Sequence, residues 1–453
     1  MEGLLEGNHD VSLEQDEVKG RTVISKRSLQ PGDIVLHCQP LVAVPNAENH
    51  QLCSRCFRQA AKPLRCSRCK MIFYCGSNCQ KKDWTSFHKR ECPLLAAVHS
   101  QIVPPTIRLL GRLAIAMVDR PSSREVVDHM MDHRGKWTEK QMQVYAQMSV
   151  FATQYLSPDE GLRDLFQHAS HMIRIFCIFS CNNFNVSDQS MNHVGIGLYP
   201  EAALINHSCD CNSVATFSDG EAFIRSVKHI PPGQEITINY IELASSKENR
   251  NSILSSNFHF VCHCDLCQSG GDRDARLSQP SCNKCRRFLK REEGAYRCKV
   301  CAYSISSTRC DDVMDKCRNM SERGATDHVP SLRSALKEGE EVFGIYNEFV
   351  ILLKNRLIKM SIEGSQFQEA TLMSESLLEA YEYLYPSYWP LLGLQLFMHA
   401  KLLRLEENCD LKRVSEILRR AHSILMSSHG RCKLTLELDD LCRETEAELN
   451  HRR

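Results

Sequence analysis

The seven residues NHSCDCN (206–212) hold two cysteines, a histidine, an aspartate and two asparagines. Two thiols one residue apart are too few for a tetrahedral metal site, which takes four nitrogen or sulfur donors. The stretch is half of a metal site, a catalytic cluster or a polar turn. The choice depends on where partners for Cys209 and Cys211 occur in the rest of the chain.

Its 453 residues allow about three domains at roughly 150 residues each, and 42% hydrophobic content can fill real cores. The opening MEGLLEGNHDVSLEQDE is acidic and has no basic end followed by an apolar run, so no signal peptide is expected. No uncharged apolar stretch approaches the ~20 residues that span a bilayer. The expectation is a soluble intracellular protein without a membrane partner. In such a compartment thiols stay reduced, so the 24 cysteines point to metal binding before disulfides. A net charge of +1, from 56 Lys+Arg and 55 Asp+Glu, excludes a strong pull of the whole molecule toward nucleic acid.

Seven cysteines and one histidine fall between positions 53 and 92, as Cys53-x2-Cys56, Cys66-x2-Cys69, Cys75-x3-Cys79 and His88-x3-Cys92. Eight donors suffice for two zinc ions. Interleaved pairing is expected, with Cys53, Cys56, Cys75 and Cys79 on one ion and Cys66, Cys69, His88 and Cys92 on the other. A segment this short builds little apolar core, so zinc binding, worth roughly 10–16 kcal/mol, drives its folding. Ten Lys/Arg against two Asp/Glu give it a local charge near +8. That charge is read equally as a contact for nucleic acid or an acidic partner and as a solvated face around thiolate-bound zinc.

Two further clusters follow. Cys262-x-Cys264-x2-Cys267 lacks one donor, and Cys209 is the candidate fourth. Cys282-x2-Cys285-x12-Cys298-x2-Cys301 is a paired-knuckle spacing complete in itself, of zinc-ribbon type. About four structural zinc ions are expected. Around the opening stretch, VGIGLYPEAALINHSCDCN and SVATFSDGEAFIRSVKHIPPGQEITINYIEL alternate in strand fashion, with turns at Asp219-Gly220 and Pro231 to Gly233. PTIRLLGRLAIAMV has helical spacing within a helical stretch from about 101 to 182.

The segment from Cys53 to Cys92 resembles a MYND zinc finger. The combination of Lys19-Gly20-Arg21, NHSC, EITINY (235–240) and the trailing Cys-x-Cys-x2-Cys resembles a SET domain. In this order the motifs are similar to the SMYD family, in which a MYND finger interrupts the SET fold, and most similar to its plant-type, ASH1-related branch. The resemblance implies an α+β multidomain chain. Its SET-type fold of short sheets is interrupted by the finger and followed by a cysteine-rich post-SET region and an all-α TPR-like domain. The implied boundaries are 1–49 for the N-terminal SET segment, 50–97 for the finger, 98–182 for a helical insertion and 183–245 for the core SET. The post-SET zinc region takes 246–270, an additional knuckle 280–303 and the helical domain 330–450.

The resemblance further implies transfer of methyl groups from S-adenosylmethionine to protein lysines, on histones or other proteins. Tyr240 is the implied catalytic tyrosine and also touches the cofactor. Lys19, Gly20, Arg21, Asn182, Asn206, His207 and Phe260 are the implied cofactor-binding positions. Proline-rich peptides are implied partners of the finger, a monomer is expected, and nucleus and cytoplasm are the expected locations. Three residues depart from the family pattern: Thr22 at a usual glycine, Cys211 at the usual proline of NHSCDPN, and Phe258 where animal relatives often have tyrosine. They favour an alternative, a MYND/TPR-like zinc scaffold with weak or lost transfer. A nucleic-acid-binding zinc protein rests only on the local basic charge.

In the C-terminal third, GSQFQEATLMSESLLEAYEYLYP spaces Gly364, Phe367 and Ala370 like part of a tetratricopeptide repeat. Antiparallel helix pairs of this kind form concave surfaces suited to peptides.

Overall fold

A computed structural model describes residues 2–5, 9–46, 48–98, 102–322 and 329–451. Positions 99–101 of the expected insertion, and positions 1, 6–8 and 47 of the expected N-terminal segment, lie outside the described residues. The chain divides into two compact units. One comprises Met1–His207, Cys211–Ile238 and Leu254–Phe260; the other comprises Ser208–Asp210, Asn239–Ile253 and Val261–Arg453.

The first unit is built of short sheets and a helical block. Strands β1 (Val11–Asp16) and β2 (Gly20–Ser25) form a hairpin with Asp16 opposite Gly20. After them come β3 (Ile34–Cys38) and β4 (Val42–Pro45). The finger contributes β5 (Leu64–Arg65), β6 (Phe73–Tyr74), α1 (Ser77–Asp83), a π-helical turn over Trp84–His88 and α2 (Lys89–Ala97). The helical block is α3 (Pro105–Asp119), α4 (Pro121–Asp128), α5 (Glu139–Leu156), α6 (Glu160–Leu165) and α7 (Ala169–Asn182). Helix α3 starts on Pro105, whose missing N–H costs nothing in a first turn. It is buried nearly all round, including Arg108 and Arg112, so those charges need partners inside the protein.

Among the described residues six more strands complete this unit: β7 (Asn183–Ser187), β8 (His193–Leu198), β9 (Asn206–His207), β10 (Ser213–Ser218), β11 (Glu221–Ser226) and β12 (Thr237–Ile238). They join in the orders β10-β11-β3 and β4-β8-β7, while β12 pairs β9 in parallel. Asp219 and Gly220, both at positive φ, make the two-residue turn of the β10–β11 hairpin. Alternation on β11 buries Ala222, Ile224 and Ser226 on one face.

The second unit begins its regular structure with α8 (Lys247–Ile253), α9 (Asp265–Ser269) and α10 (Gly271–Ser278). A three-stranded meander follows, β13 (Lys290–Glu292), β14 (Ala295–Arg297) and β15 (Ser304–Ser306). Helices α11 (Ser307–Glu322), α12 (Val329–Phe343), α13 (Glu348–Glu363), α14 (Phe367–Leu384), α15 (Pro390–Leu403), α16 (Leu411–His429) and α17 (Lys433–His451) complete it. Consecutive helices pack on one another from α11 to α17. A Cβ at Gly393 would lie 2.8 Å from Ile424, so glycine is what allows α15 and α16 to approach this closely. Helix begins at Ser307, ahead of the implied boundary of 330. Only Cys310, Val313 and Cys317 are buried on α11, too few to make a strong apolar stripe. Among the described residues no helix is long and apolar enough to cross a membrane.

Candidate functional site

The opening stretch enters the fold as β9. Asn206 donates from Nδ2 to the Arg21 carbonyl oxygen at 2.7 Å and to Oε1 of Glu235 at 3.0 Å. Lys19 reaches the other oxygen of the same carboxylate, at 2.5 Å. Glu235 thus gathers two of the sequence-derived positions, Lys19 and Asn206, and Asn206 in turn reaches Arg21. Asn212, at the far end of NHSCDCN, repeats the pattern. It donates to the Glu235 carbonyl at 2.8 Å and accepts from Thr237 N at 2.9 Å, which fixes the stretch against the segment leading to Tyr240.

The loop carrying Lys19 and Gly20 is shaped by Asp16, whose carboxylate accepts from the N–H groups of Val18 and Lys19 at 2.8 and 2.7 Å. Those two donors, Lys19 first, hold its pKa below the ordinary value. Gly20 sits at φ +74° with open space where a Cβ would be, leaving its backbone accessible to a ligand. Thr22 is buried, its hydroxyl 3.4 Å from the Glu14 carbonyl oxygen, so its side chain is packed into protein.

His207 faces Phe260 at a ring-centroid distance of 6.1 Å, and Phe260 keeps 36% of its surface exposed. The segment before Phe260 is anchored on the helical block. His259 packs edge-on against Trp137 at 4.2 Å and lies 5.1 Å from His133, while Gln141 donates to the Ser256 carbonyl at 3.3 Å. Asn182, at the end of α7, donates from Nδ2 to the carbonyls of Met131 and Ile178 at 2.9 and 2.8 Å. The structure therefore brings Lys19, Arg21 and Asn206 together, and His207 with Phe260, while the hydrogen bonds of Asn182 among the described residues go to Met131, Ile178 and Cys181.

Tyr240 lies in the second unit, half-buried on a bend just after β12. The residues after it are tied to the helices of that unit. Tyr385 donates to Glu242 at 2.7 Å, and buried Glu348 accepts from the Ser245 hydroxyl at 2.8 Å and from Ser246 N at 2.9 Å. These bonds hold the chain that carries Tyr240 against α13 and the end of α14.

Among the described residues four cysteine-rich groups have ligand atoms within 4.8 Å of one another: Cys53, Cys56, Cys75 and Cys79; Cys66, Cys69, His88 and Cys92; Cys209, Cys262, Cys264 and Cys267; Cys282, Cys285, Cys298 and Cys301. Cys211 is buried outside all four. The donor sets fit tetrahedral zinc, which binds thiolate and neutral imidazole. Without a metal, thiols this close share their protons unevenly. The hydrogen bond from Cys53 brings Cys56 down to about 4 while Cys53 itself is raised, and that from Cys209 brings Cys264 down to about 5 while Cys209 is raised.

Around the His88 group lies a fully buried ionic network. Glu91 accepts from Arg108 Nε at 2.7 Å, from Arg112 Nε and Nη2 at 3.0 and 2.9 Å, and faces His88 Nδ1 at 3.3 Å. Burial alone would raise the Glu91 pKa, but the two guanidinium groups hold it well below the carboxylate range. Asp83 joins through Arg112 at 2.9 Å and Tyr74 at 2.8 Å. At the Cys209 group, Arg250, 0% exposed, donates to Cys267 Sγ at 3.8 Å and to Asp274 at 3.0 Å. A buried cation beside four thiols suits a centre that carries formally about two negative charges when zinc is bound.

Comparison with known proteins agrees with this arrangement. The MYND finger family matches residues 53–92. Histone-lysine N-methyltransferase ASHR1 of Arabidopsis thaliana is 31% identical over 443 residues, covering 91% of this chain and 90% of that protein. The chain belongs to the SMYD family. Its similarity to the Homo sapiens SMYD3 histone-lysine N-methyltransferase is 27% over 91% of the chain and 92% of that protein. The Mus musculus SMYD3 protein is 32% identical over 57% of the chain and 61% of its own length. In SMYD terms, the matched finger contains the first two ligand groups together with Asp83 and Glu91, and NHSC and EITINY form the parallel β9–β12 pair.

Sequence reasoning missed Glu235, Asn212, Glu91, Arg108, Arg112 and Arg250. Arginines on the apolar helix α3, at a spacing of four, were a legible signal for a buried acidic partner. Glu235 had none, because its partners lie up to 216 residues away.

Proposed function

We propose that this protein is an S-adenosylmethionine-dependent protein-lysine N-methyltransferase acting on histone or other protein lysines. The observation that carries this reading is end-to-end similarity to a histone-lysine N-methyltransferase, with Asn206, His207 and Tyr240 retained in their motifs. When bound, the cofactor supplies an electrophilic methyl group on a sulfonium. The residues present fit it: Gly20 offers open backbone, and Phe260 offers an exposed ring face beside His207. Lys19, Gly20 and Arg21 would line its methionine end, Asn206, His207 and Asn182 would hydrogen-bond it, and Phe260 would cover its adenine.

The lysine must attack as the free amine, which from a pKa near ~10.4 costs roughly 4.6 kcal/mol at neutral pH. Desolvation of the amine lowers that cost, so no strong general base is required. The Tyr240 hydroxyl aligns the amine for in-line displacement. The four cysteine-rich groups hold structural zinc, and the finger receives a proline-rich peptide. We further propose a monomer working in nucleus and cytoplasm.

The test measures S-adenosylmethionine binding and then methyl transfer to a protein extract, for wild type and Tyr240→Phe. Binding and transfer by the wild type, with transfer lost in the variant, are expected. Binding without transfer in the wild type would favour a second reading, an interaction scaffold, which Cys211 and Phe258 support. Equal transfer by both proteins would remove Tyr240 from its role.

A further inference from the structure

A concavity of about 490 Å³ lies within the second unit. Its walls come from three chain segments: helix α10, the turn after Cys285 running into β13, and the turn after Cys298. Five cationic side chains line it, Arg276, Arg286, Arg287, Lys290 and Lys299, against the single carboxylate of Asp272. None of the five has an ion pair or a side-chain hydrogen bond among the described residues. Four of them, Arg286, Arg287, Lys290 and Lys299, are exposed.

Arg276 is held differently. Its guanidinium carbon is 4.8 Å from the Tyr383 ring centroid, 4.9 Å from Tyr346 and 5.7 Å from Phe288, and its Nε is buried without a partner. Rings on several sides hold the guanidinium in place, and a guanidinium over an aromatic face keeps its N–H groups as donors. The adjacent zinc group does not account for the surplus of cations. From Cys282 to Cys301 there are seven Lys/Arg and two Glu, a surplus of five, of which zinc on four thiolates offsets formally about two. Arg276 lies outside that count.

We propose that this cavity binds a compact polyanion of the polyphosphate or multiply phosphorylated small-molecule class. Guanidinium groups match phosphate oxygens in pairs, and three arginines converge here. The volume falls in the ~300–1,000 Å³ range of small-ligand sites. Cations approach from three segments around a hollow, whereas a single-stranded nucleic acid would call for a groove that follows its backbone. The site shares no residue with the cofactor-binding set and does not rest on the methyltransferase reading.

The probes are inorganic tripolyphosphate and inositol hexakisphosphate, titrated calorimetrically into zinc-loaded full-length protein at about 0.15 M salt, where nonspecific attraction is screened. Saturable binding of either probe at one site per chain is expected, the tighter probe separating a linear from a ring-borne phosphate source. Arg286→Gln with Arg287→Gln, both exposed, should weaken it about tenfold or more with zinc content unchanged. Arg276→Lys, which keeps the charge and loses the stacked plane, should weaken it less. The proposal is overturned by absence of saturable binding in the wild type or by equal affinity in the double variant. Equal affinity for tetraglutamate, or tighter binding of a single-stranded oligonucleotide that strengthens with strand length, overturns it as well.

Discussion

Glu91 lies 3.3 Å from Nδ1 of His88, while Nε2 of the same ring faces Cys66 Sγ at 3.3 Å. The carboxylate therefore orients the imidazole that completes the second finger group, and Arg108 and Arg112 of α3 hold the carboxylate in turn. This chain of contacts makes the finger and the helical block of the first unit one mechanical piece.

Glu91→Gln should therefore act on both metal and fold. Loss of a carboxylate behind a ligating histidine weakens metal binding by roughly 10–100-fold. Two buried arginines left short of charge destabilise by about 3–5 kcal/mol. Zinc release to a competing chelator and thermal unfolding measure the two effects. Unchanged release would remove Glu91 from its role behind His88.

Metal content separates the four groups. The wild type should hold about four zinc ions per chain, and Cys282→Ser with Cys285→Ser about three. Mass spectrometry under native conditions counts them directly. A count of three in the wild type would mean that the knuckle pair carries no zinc.

Cys209 and Cys262 stand two residues along the chain from His207 and Phe260, the ring pair proposed for the cofactor. Zinc on the Cys209 group would thereby fix both rings. Cys209→Ser should lose one zinc ion and S-adenosylmethionine binding together, whereas Cys211→Pro should leave both intact. Zinc analysis and cofactor titration on the same samples decide it.

Glu235 can be dissected by two substitutions. Glu235→Gln removes the charge facing Lys19 but keeps an oxygen for Asn206, and an exposed ion pair contributes only about 0–1 kcal/mol. Glu235→Ala also removes the acceptor for Asn206. Cofactor affinity should fall slightly in the first and about tenfold in the second. Equal losses would show that charge, and not the hydrogen bond to Asn206, matters.

Acid should loosen the anchor before Phe260. Burial, then the neighbouring His259 and Lys136, lowers the His133 pKa; burial and Lys136 lower that of His259. Both therefore titrate below the ~6.5 of an unfolded histidine. The unfolded chain takes up protons first as pH falls, so their contribution is complete above about 6.5 and declines from there toward the folded values. Trp137 fluorescence between pH 7.5 and 5.5 reports the contact. The change should disappear in His259→Asn; a change of equal size in that variant would show that this contact does not titrate.

The sequence by itself determined which chemistry this protein carries. Cysteine pairs two or three residues apart declare zinc because a tight turn is local, and NHSC and EITINY declare the family because each lies within one short segment. It did not show where α11 begins, since a helix with few buried residues leaves little periodic signal. Tertiary structure alone decided which charges stand behind those motifs. Glu235 meets Lys19 across 216 residues, Glu91 meets Arg112 across 21, and Arg250 meets Cys267 across 17. A carboxylate or guanidinium carries no preference for one spacing; its partner is whichever opposite charge the topology buries beside it, and only the folded chain specifies that.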